Sequence, residues 1–223
     1  MKSIKIIVIV TIGIFFQREG LSQNLNWAHR NSSQRHVLNV NLGFDYAFSY
    51  GVGYGYRLKT KFPVVLGLEH SQPAGEKVFD DFKTKIGGQV RVYQINNFHL
   101  TAKVYGIFRR YENDYVRLLN FGSDISAIIG YYKSKWFVAA EFGFDKAIVT
   151  NFKHSDLFKE DFPLVKDGWY EPATGGNFHY GLQVGLSFSK ADITMKLGKV
   201  IQQDFKSEPN VPLYFQLGYN IKF

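Results

Sequence analysis

The chain ends in the stretch PLYFQLGYNIKF, Pro212 to Phe223, in which every second residue from Leu213 onward is apolar. A period of two is that of a β-strand with one apolar face. The last residues of a soluble chain usually have nothing to pack against and are polar. A pattern that continues to Phe223 therefore predicts a chain end that is held within a sheet and faces an apolar environment.

The same alternation covers most of the sequence from residue 36 onward and predicts about ten strands, with eight as the alternative. The predicted strands are residues 36–46, 50–58, 62–69, 82–94, 98–109, 120–131, 136–149, 177–188, 191–200 and 212–223. Short turns at 59–61, 95–97, 132–135 and 189–190 alternate with longer connections, of which 150–176 is the longest. The apolar parity is kept or changed across each short turn as its length requires. These features predict an all-β fold, an up-and-down antiparallel barrel.

Two kinds of barrel have this period. A soluble lipocalin-like barrel turns its apolar face inward around a ligand, whereas an outer-membrane barrel turns that face outward to lipid. Three features favour the transmembrane barrel: the apolar parity carries almost no charge, aromatic residues lie towards the strand ends, and the strand lengths match a tilted membrane span. The predicted end aromatics are Tyr46 and Phe108 at one end and Tyr56, Phe98, Tyr131, Trp136 and Phe188 at the other.

On these residues, the segment 36–223 resembles the small ten-stranded outer-membrane β-barrel proteins of Gram-negative bacteria, of the kind common in Bacteroidota. The most specific feature is the terminal strand with Tyr219, Ile221 and Phe223. The resemblance implies that these three residues are an assembly signal read by the barrel-assembly machinery. It also implies localisation in the cell outer membrane, surrounded by outer-membrane lipid, with other outer-membrane proteins as candidate partners.

The N-terminal stretch MKSIKIIVIVTIGIFF predicts a signal peptide over residues 1–23, because two lysines precede an apolar run that is too short to span a bilayer. Residues 24–35 are predicted as a periplasmic lead-in and residues 36–223 as the barrel.

The composition excludes several classes of site and partner. Without Cys the chain has no disulfide, thiolate metal site or cysteine nucleophile. The net charge of +8 is spread among acidic residues, without a basic run that contains aromatics, so nucleic-acid binding is not expected. No cofactor is predicted, and no metal site, because the histidines lack ligand spacing.

The polar parity of the strands predicts a charge network inside the lumen. Its predicted members are Lys85, Arg91, Lys103, Asp124, Glu141 and Lys196. Small barrels fill their interior with side chains, and buried charges must be paired. The lining of a narrow pore is the alternative. Gly51, Gly53 and Gly55 leave one wall bare, which either makes room for long side chains or opens a channel.

The connection 150–176 carries the aromatic residues predicted to bind a partner: Phe158, Phe162, Trp169 and Tyr170. Loops of this length usually have a function, and exposed aromatics are typical of binding surfaces. Packing of these residues over the barrel mouth is the alternative.

The same connection holds His154, Ser155 and Asp156, but sequence neighbours cannot converge as a catalytic triad, so no catalytic residue is predicted. The expected role is structural or interactive, including membership of a larger outer-membrane complex. A narrow passive channel and an enzyme acting on lipid A or peptides are the alternatives.

Overall fold

A computed structural model of the chain describes residues 25–28, 34–44, 47–74, 79–172, 175–205 and 212–223. The strands are β1 (His36–Phe44), β2 (Phe48–Arg57), β3 (Val64–Pro73), β4 (Asp81–Ile95), β5 (Phe98–Glu112), β6 (Val116–Tyr132), β7 (Trp136–His154), β8 (Gly168–Tyr170), β9 (Gly176–Ser187), β10 (Ala191–Gln202) and β11 (Leu213–Lys222). A short helix, α1 (Asp156–Asp161), lies between β7 and β8. The predicted signal peptide and Tyr46 lie outside the described residues.

Among the described residues, no helix has the length and apolar character needed to cross a bilayer.

The strands form one closed antiparallel barrel. Sequence neighbours pair from β1 to β7, β9 pairs with β7 and β10, and β11 joins β10 to β1. Ten strands therefore close the ring, which confirms the predicted fold class. β8 stands outside the ring, and within the part of the chain that the structure describes it pairs with the far end of β7 alone, at residues 150–152.

The two faces of the barrel wall have opposite character. Ile86 and Leu182 face outward and are 67 % and 54 % exposed, whereas Lys103 and Glu141 face the lumen and are each 1 % exposed. A soluble protein buries its apolar residues and exposes its charges. The inverse arrangement is that of a transmembrane barrel, whose apolar outer wall contacts lipid.

Aromatic side chains form a band at each end of the outer wall. At the end with short turns, called the short-turn end, the ring of His36 lies 5.3 Å from Phe223 and that of Tyr131 lies 5.7 Å from Trp136. At the opposite, long-loop end, Phe108 lies 5.1 Å from Phe121. Such bands are typical of the two interfaces of a membrane.

The turn between β4 and β5 is shorter than predicted. It consists of Asn96 and Asn97, and Asn96 adopts a φ of 51°, a left-handed conformation that asparagine tolerates. A turn of this length changes the apolar parity, but a β-bulge between Arg91 and Tyr93 changes it back. The predicted outward parity of β4 and β5 was therefore correct, but it results from the shorter turn and the bulge together, which alternation alone does not reveal.

The predicted strand limits differ most at the long-loop end. Here β5 ends at Glu112, β6 begins at Val116 and β7 ends at His154. All three are longer than predicted, because their backbones keep pairing beyond the apolar wall. At the short-turn end, β3 starts at Val64 rather than residue 62, because Pro63 has no N–H to donate. The three long strands project as a platform that carries α1 and β8.

Candidate functional site

Glu141 on β7 is the centre of a buried ion-pair cluster at mid-height in the lumen. Lys103 on β5 donates to Glu141 Oε1 at 2.8 Å, and Lys196 on β10 lies 2.7 Å from Oε2. Gln183 on β9 also donates to Oε2. The side chains of both lysines and of Glu141 are no more than 3 % exposed. These contacts tie four strands together across the interior.

Asp124 on β6 is the centre of a second cluster. Lys85 on β4 pairs with its Oδ2, and Ser126 Oγ donates to its Oδ1 at 2.9 Å. The Nε2 atom of His179 lies 3.8 Å from the same Oδ1. Both Lys85 and Asp124 are almost fully buried. Because a lone buried charge is costly, the pairing of Lys85 with Asp124 leaves neither of these two charges uncompensated.

Asp124, Ser126 and His179 have the composition of a catalytic triad but not its geometry. Ser126 Oγ and Asp124 Oδ1 both face Nε2 of His179, at 3.3 Å and 3.8 Å. In a triad the serine and the carboxylate bind opposite ring nitrogens. All three residues are buried, and a Cβ added at Gly143 would overlap the imidazole. The arrangement is one of packing.

The structure brings five of the six predicted lumen charges into the two clusters. These are Lys85, Lys103, Asp124, Glu141 and Lys196. Arg91 is also buried, at 8 % exposure, six residues along β4 from Lys85. Sequence reasoning did not include Gln183, Ser126 or His179 among the interior contacts, although all three lie on the polar parity.

Tyrosines fill the space that glycines leave in the lumen wall. Tyr105 is 2 % exposed, and a Cβ at Gly67 would lie only 2.6 Å from its hydroxyl oxygen. A Cβ at Gly198 would overlap the hydroxyl of Tyr214 in the same way. The predicted bare wall at Gly51 and Gly53 instead faces Asn41 and Asn39. At Gly51, Gly67 and Gly198 the glycine therefore allows close packing of the neighbouring side chain.

Residues 25–28, called the plug, lie inside the barrel at the short-turn end. Leu25 and Trp27 are 6 % and 3 % exposed and pack among apolar residues of the strand ends. These are Val37, Val65, Ile128, Tyr132, Phe137 and Ala139. Asn26 Nδ2 donates to Lys133 O and to Ser187 Oγ, both at 2.8 Å. Part of the predicted lead-in is therefore an internal core that closes this end.

Residues 155–172, called the lobe, fold against the platform of long strands. Ser155 caps α1, since its hydroxyl accepts the N–H of Phe158 at 3.3 Å, so this serine has a structural role at the helix start. Rings continue from β7 into the lobe, with His154 at 5.1 Å from Phe158 and Phe158 at 4.8 Å from Phe162. The longest connection is thus a packed element rather than an open loop.

Asp167 ties the two arms of the lobe together. Its Oδ1 accepts the backbone N–H of His154 at 2.8 Å and lies 2.9 Å from His154 Nδ1. Its Oδ2 accepts from Lys159 Nζ at 2.6 Å. The His154 N–H first, and then the side chains of Lys159 and His154, hold the pKa of Asp167 well below its usual value. The carboxylate is therefore charged throughout the physiological pH range.

The structure separates the four aromatics that were predicted to bind a partner. Phe158 is buried at 8 % exposure, and the half-buried Phe162 stacks on it, so Phe158 belongs to the packing of the lobe. Trp169 lies on the outer wall, 6.0 Å from Phe121, in the aromatic band. Tyr170 faces the opposite way and packs edge-on against Phe152 at 5.5 Å. Neighbouring strand residues point to opposite faces, so these two side chains have different surroundings.

A cleft of about 350 Å³ opens between β7 and the lobe. It is lined by Phe152, His154, Val165, Lys166, Tyr170 and Pro172. Its walls are mainly apolar, with His154 and Lys166 as the polar contributors. Among the residues that the structure describes, no group of three or more His, Asp or Glu side chains could hold a metal ion.

The predicted assembly signal lies on the outer face of β11 and at the residue that follows this strand. Tyr219, Ile221 and Phe223 are 47 %, 39 % and 58 % exposed, and β11 pairs with β1 to close the ring. The ring of Phe223 stacks on His36 at the short-turn end.

No family model and no curated protein sequence matches the chain. Several solved structures are similar to it. The KdgM porin in complex with disordered oligogalacturonate has a TM-score of 0.43 and 8 % identity, covering 84 % of this chain and 99 % of that chain. Omp33 of Acinetobacter baumannii has a TM-score of 0.36 and 7 % identity, covering 85 % and 98 %. The N-terminal β-barrel domain of Pseudomonas aeruginosa OprF has a TM-score of 0.32 and 14 % identity, covering 85 % and 98 %. At such values the similarity says nothing about what this chain binds.

Proposed function

We propose that this protein is an integral outer-membrane β-barrel with a sealed, structural lumen, and that its lobe is an interaction element at the cell surface. In this proposal the short-turn end faces the periplasm and the long-loop end faces outward. Membership of a larger outer-membrane complex is the form of interaction that it favours.

The observation that carries the proposal is the filled lumen. Lys103, Glu141 and Lys196 span the interior with contacts of 2.7–2.8 Å, and each is nearly inaccessible to solvent. A conducting pore needs a continuous water-filled path, and such a path would leave these charges hydrated and exposed. The plug supports the same conclusion from the periplasmic end. A role as a passive channel is therefore disfavoured.

The lobe supports an interaction role because it has structure and surface that barrel closure does not require. Its helix α1 follows the far end of β7, and the lobe exposes Leu157 and Leu164 at 57 % and 93 %. Exposed apolar residues on a water-facing element, beside an apolar cleft, are typical of protein contact sites. A short connection between β7 and β9 would be enough to close the barrel, so the lobe is not needed for closure.

The experiment is affinity purification in mild detergent, followed by mass spectrometry of the proteins that accompany the barrel. Leu157→Asn combined with Leu164→Asn changes the lobe surface without touching the strands. Phe62→Asn is the matched control, because Phe62 is 63 % exposed in the turn between β2 and β3. We expect the double variant to lose partners that both wild type and control retain, with the same heat-modifiable gel mobility. The same set of accompanying proteins in all three samples, or none with wild type, would contradict the proposal.

A further inference from the structure

The charged side chains on the outer wall are mostly positive and lie near one end of the barrel. Among the described strand residues, those that the register places outward are Arg110, Glu112, Arg117, Lys146, Lys153 and Lys199. Only Glu112 in this set is acidic, and all six lie at the long-loop end. Charge on the outer wall is costly near the membrane centre and tolerated near its interfaces. The wall thus carries an asymmetric cationic edge.

Three of these cations are neighbours on β5, β6 and β7. Arg117 is the direct partner of Lys153 on one side and of Glu112 on the other. Arg110 precedes Glu112 by two residues and forms an ion pair with it. Paired strands lie about 4.8 Å apart, so side chains of Arg117 and Lys153 can reach one common anion. We call Arg110, Arg117 and Lys153 the basic patch; Glu112 offsets only one of its charges.

The basic patch lies directly beyond the aromatic band. Phe108 and Phe121 are direct register partners whose rings are 5.1 Å apart, and Trp169 extends this row at 6.0 Å from Phe121. Arg110 follows Phe108 by two residues, and Arg117 precedes Phe121 by four. Aromatic bands lie at the level of the lipid headgroups. The patch is therefore placed where the headgroups of the surrounding leaflet begin.

Lys146 is a fourth outward cation, and it lies nearer the membrane centre than the basic patch. It pairs with Ser123, one step nearer the membrane centre than Phe121. Its long apolar stem can lie along the wall while the ammonium group reaches upward to the headgroup level. Outward cations on β5, β6 and β7 thus continue from the level of Lys146 up to the basic patch.

We propose that the basic patch binds the phosphate groups of a phosphorylated glycolipid of the outer leaflet, a lipid of the lipid A class. Guanidinium groups bind phosphate oxygens through two parallel hydrogen bonds, and a lysine adds a point charge. The lipid is favoured over a soluble anion because the patch continues the lipid-facing wall, where acyl chains would lie against Phe121 and Trp169. This inference rests on the proposed outer-membrane location.

The test is native mass spectrometry of the full-length barrel in detergent, with diphosphorylated lipid A and enzymatically dephosphorylated lipid A as probes. The patch variant is Arg110→Gln, Arg117→Gln and Lys153→Gln together. The control variant, Lys59→Gln, Lys61→Gln and Lys190→Gln, removes three exposed lysines of the short turns. We expect the patch variant to bind the phosphorylated probe about tenfold more weakly or worse, and the control to bind like wild type. Wild type should prefer the phosphorylated probe by a similar factor.

Equal binding of the two probes, or equal loss in both variants, would overturn the inference. Displacement of the lipid by equimolar inorganic phosphate would show a site for the free anion and would also overturn it. If the triple variant does not assemble, Lys153→Gln alone, at an exposed position, should show a smaller loss in the same direction. Heat-modifiable gel mobility and membrane fractionation of the wild-type protein are measured in parallel. A protein that shows neither a heat-modifiable band nor an outer-membrane fraction contradicts the outer-membrane location. A protein that shows both, but whose patch variant binds the lipid as wild type does, contradicts only the proposed lipid site.

Discussion

Lys103 Nζ lies 2.8 Å from Glu141 Oε1 at the centre of the barrel, with both side chains 1 % exposed. Lys196 and Gln183 bind the other carboxylate oxygen. Removal of Glu141 would leave two lysines without this buried anion, whereas removal of Lys103 would leave Glu141 with two donors. We therefore expect Glu141→Gln to lower the free energy of unfolding by about 3–5 kcal/mol and Lys103→Met to lower it by less. Urea unfolding in detergent micelles measures both; the reverse order would contradict the role of Glu141 as the centre of the cluster.

A pair of Leu→Arg variants tests the depth of the lipid-facing wall. Leu182 and Leu213 both face outward, at 54 % and 63 % exposure, but Leu213 pairs with Lys199 near the long-loop end. Arg costs about 2–4 kcal/mol at the membrane midplane and about 0–1 kcal/mol near an interface. Leu182→Arg should therefore reduce the heat-modifiable fraction strongly, and Leu213→Arg should reduce it little. Equal effects of the two changes would mean that the wall does not face lipid.

Trp27 tests the plug. It is 3 % exposed within the apolar cluster at the short-turn end, whereas Trp169 is 57 % exposed on the outer wall. Truncation of a buried Trp to Ala costs about 3–5 kcal/mol, because it removes apolar contacts and leaves a cavity. We expect Trp27→Ala to lower the unfolding midpoint clearly more than Trp169→Ala does. A larger effect of Trp169→Ala would place the plug outside the stable core.

Trypsin applied to intact cells tests sidedness. The lobe exposes Lys166 on the surface beside the cleft, and Leu164 nearby is 93 % exposed. Cleavage is expected within the lobe, while Lys61 and Lys190 stay intact because their turns face the periplasm. After disruption of the outer membrane, cleavage at those turns becomes allowed. Fragment masses locate the cuts, and cleavage at Lys190 in unbroken cells would invert the proposed orientation.

Asp167 gives the lobe a defined pH dependence. Its pKa is lowered in the folded state, first by the N–H of His154, so the stabilisation that it provides is present above the ordinary pKa of about 3.9 and is lost as pH falls towards the folded value. Hydrogen exchange of β8 should therefore be faster in Asp167→Asn than in wild type at pH 7, and the difference should shrink below about pH 4. Asp161→Asn, in the same lobe, is the control. A difference that grows in acid would contradict the assignment.

Local alternation was sufficient to predict the strands, their faces and most of the lumen charges. The period of two is carried by each strand alone, and it places Lys103 and Glu141 on the same side as the other polar residues. The plug was not predictable in this way, because Leu25 and Trp27 become a core only through contacts with the ends of β1, β3, β6 and β7.

The internal pairing of the lobe was not predictable for a related reason. Its aromatics suggested one exposed binding surface, but β8 pairs with β7 and sends Trp169 and Tyr170 to opposite faces. That pairing joins residues 16–20 apart in sequence, and a strand of three residues is too short to show a period.

Single-channel recording in a planar lipid bilayer tests the central claim, a membrane-embedded barrel with a sealed lumen, most directly. The sample is the full-length barrel whose heat-modifiable mobility shows that it is folded. With the charge clusters and the plug in place, we predict insertion without stepwise ionic current at either voltage polarity. Stable, reproducible conductance steps from the wild-type protein would contradict the account and would identify the barrel as a channel.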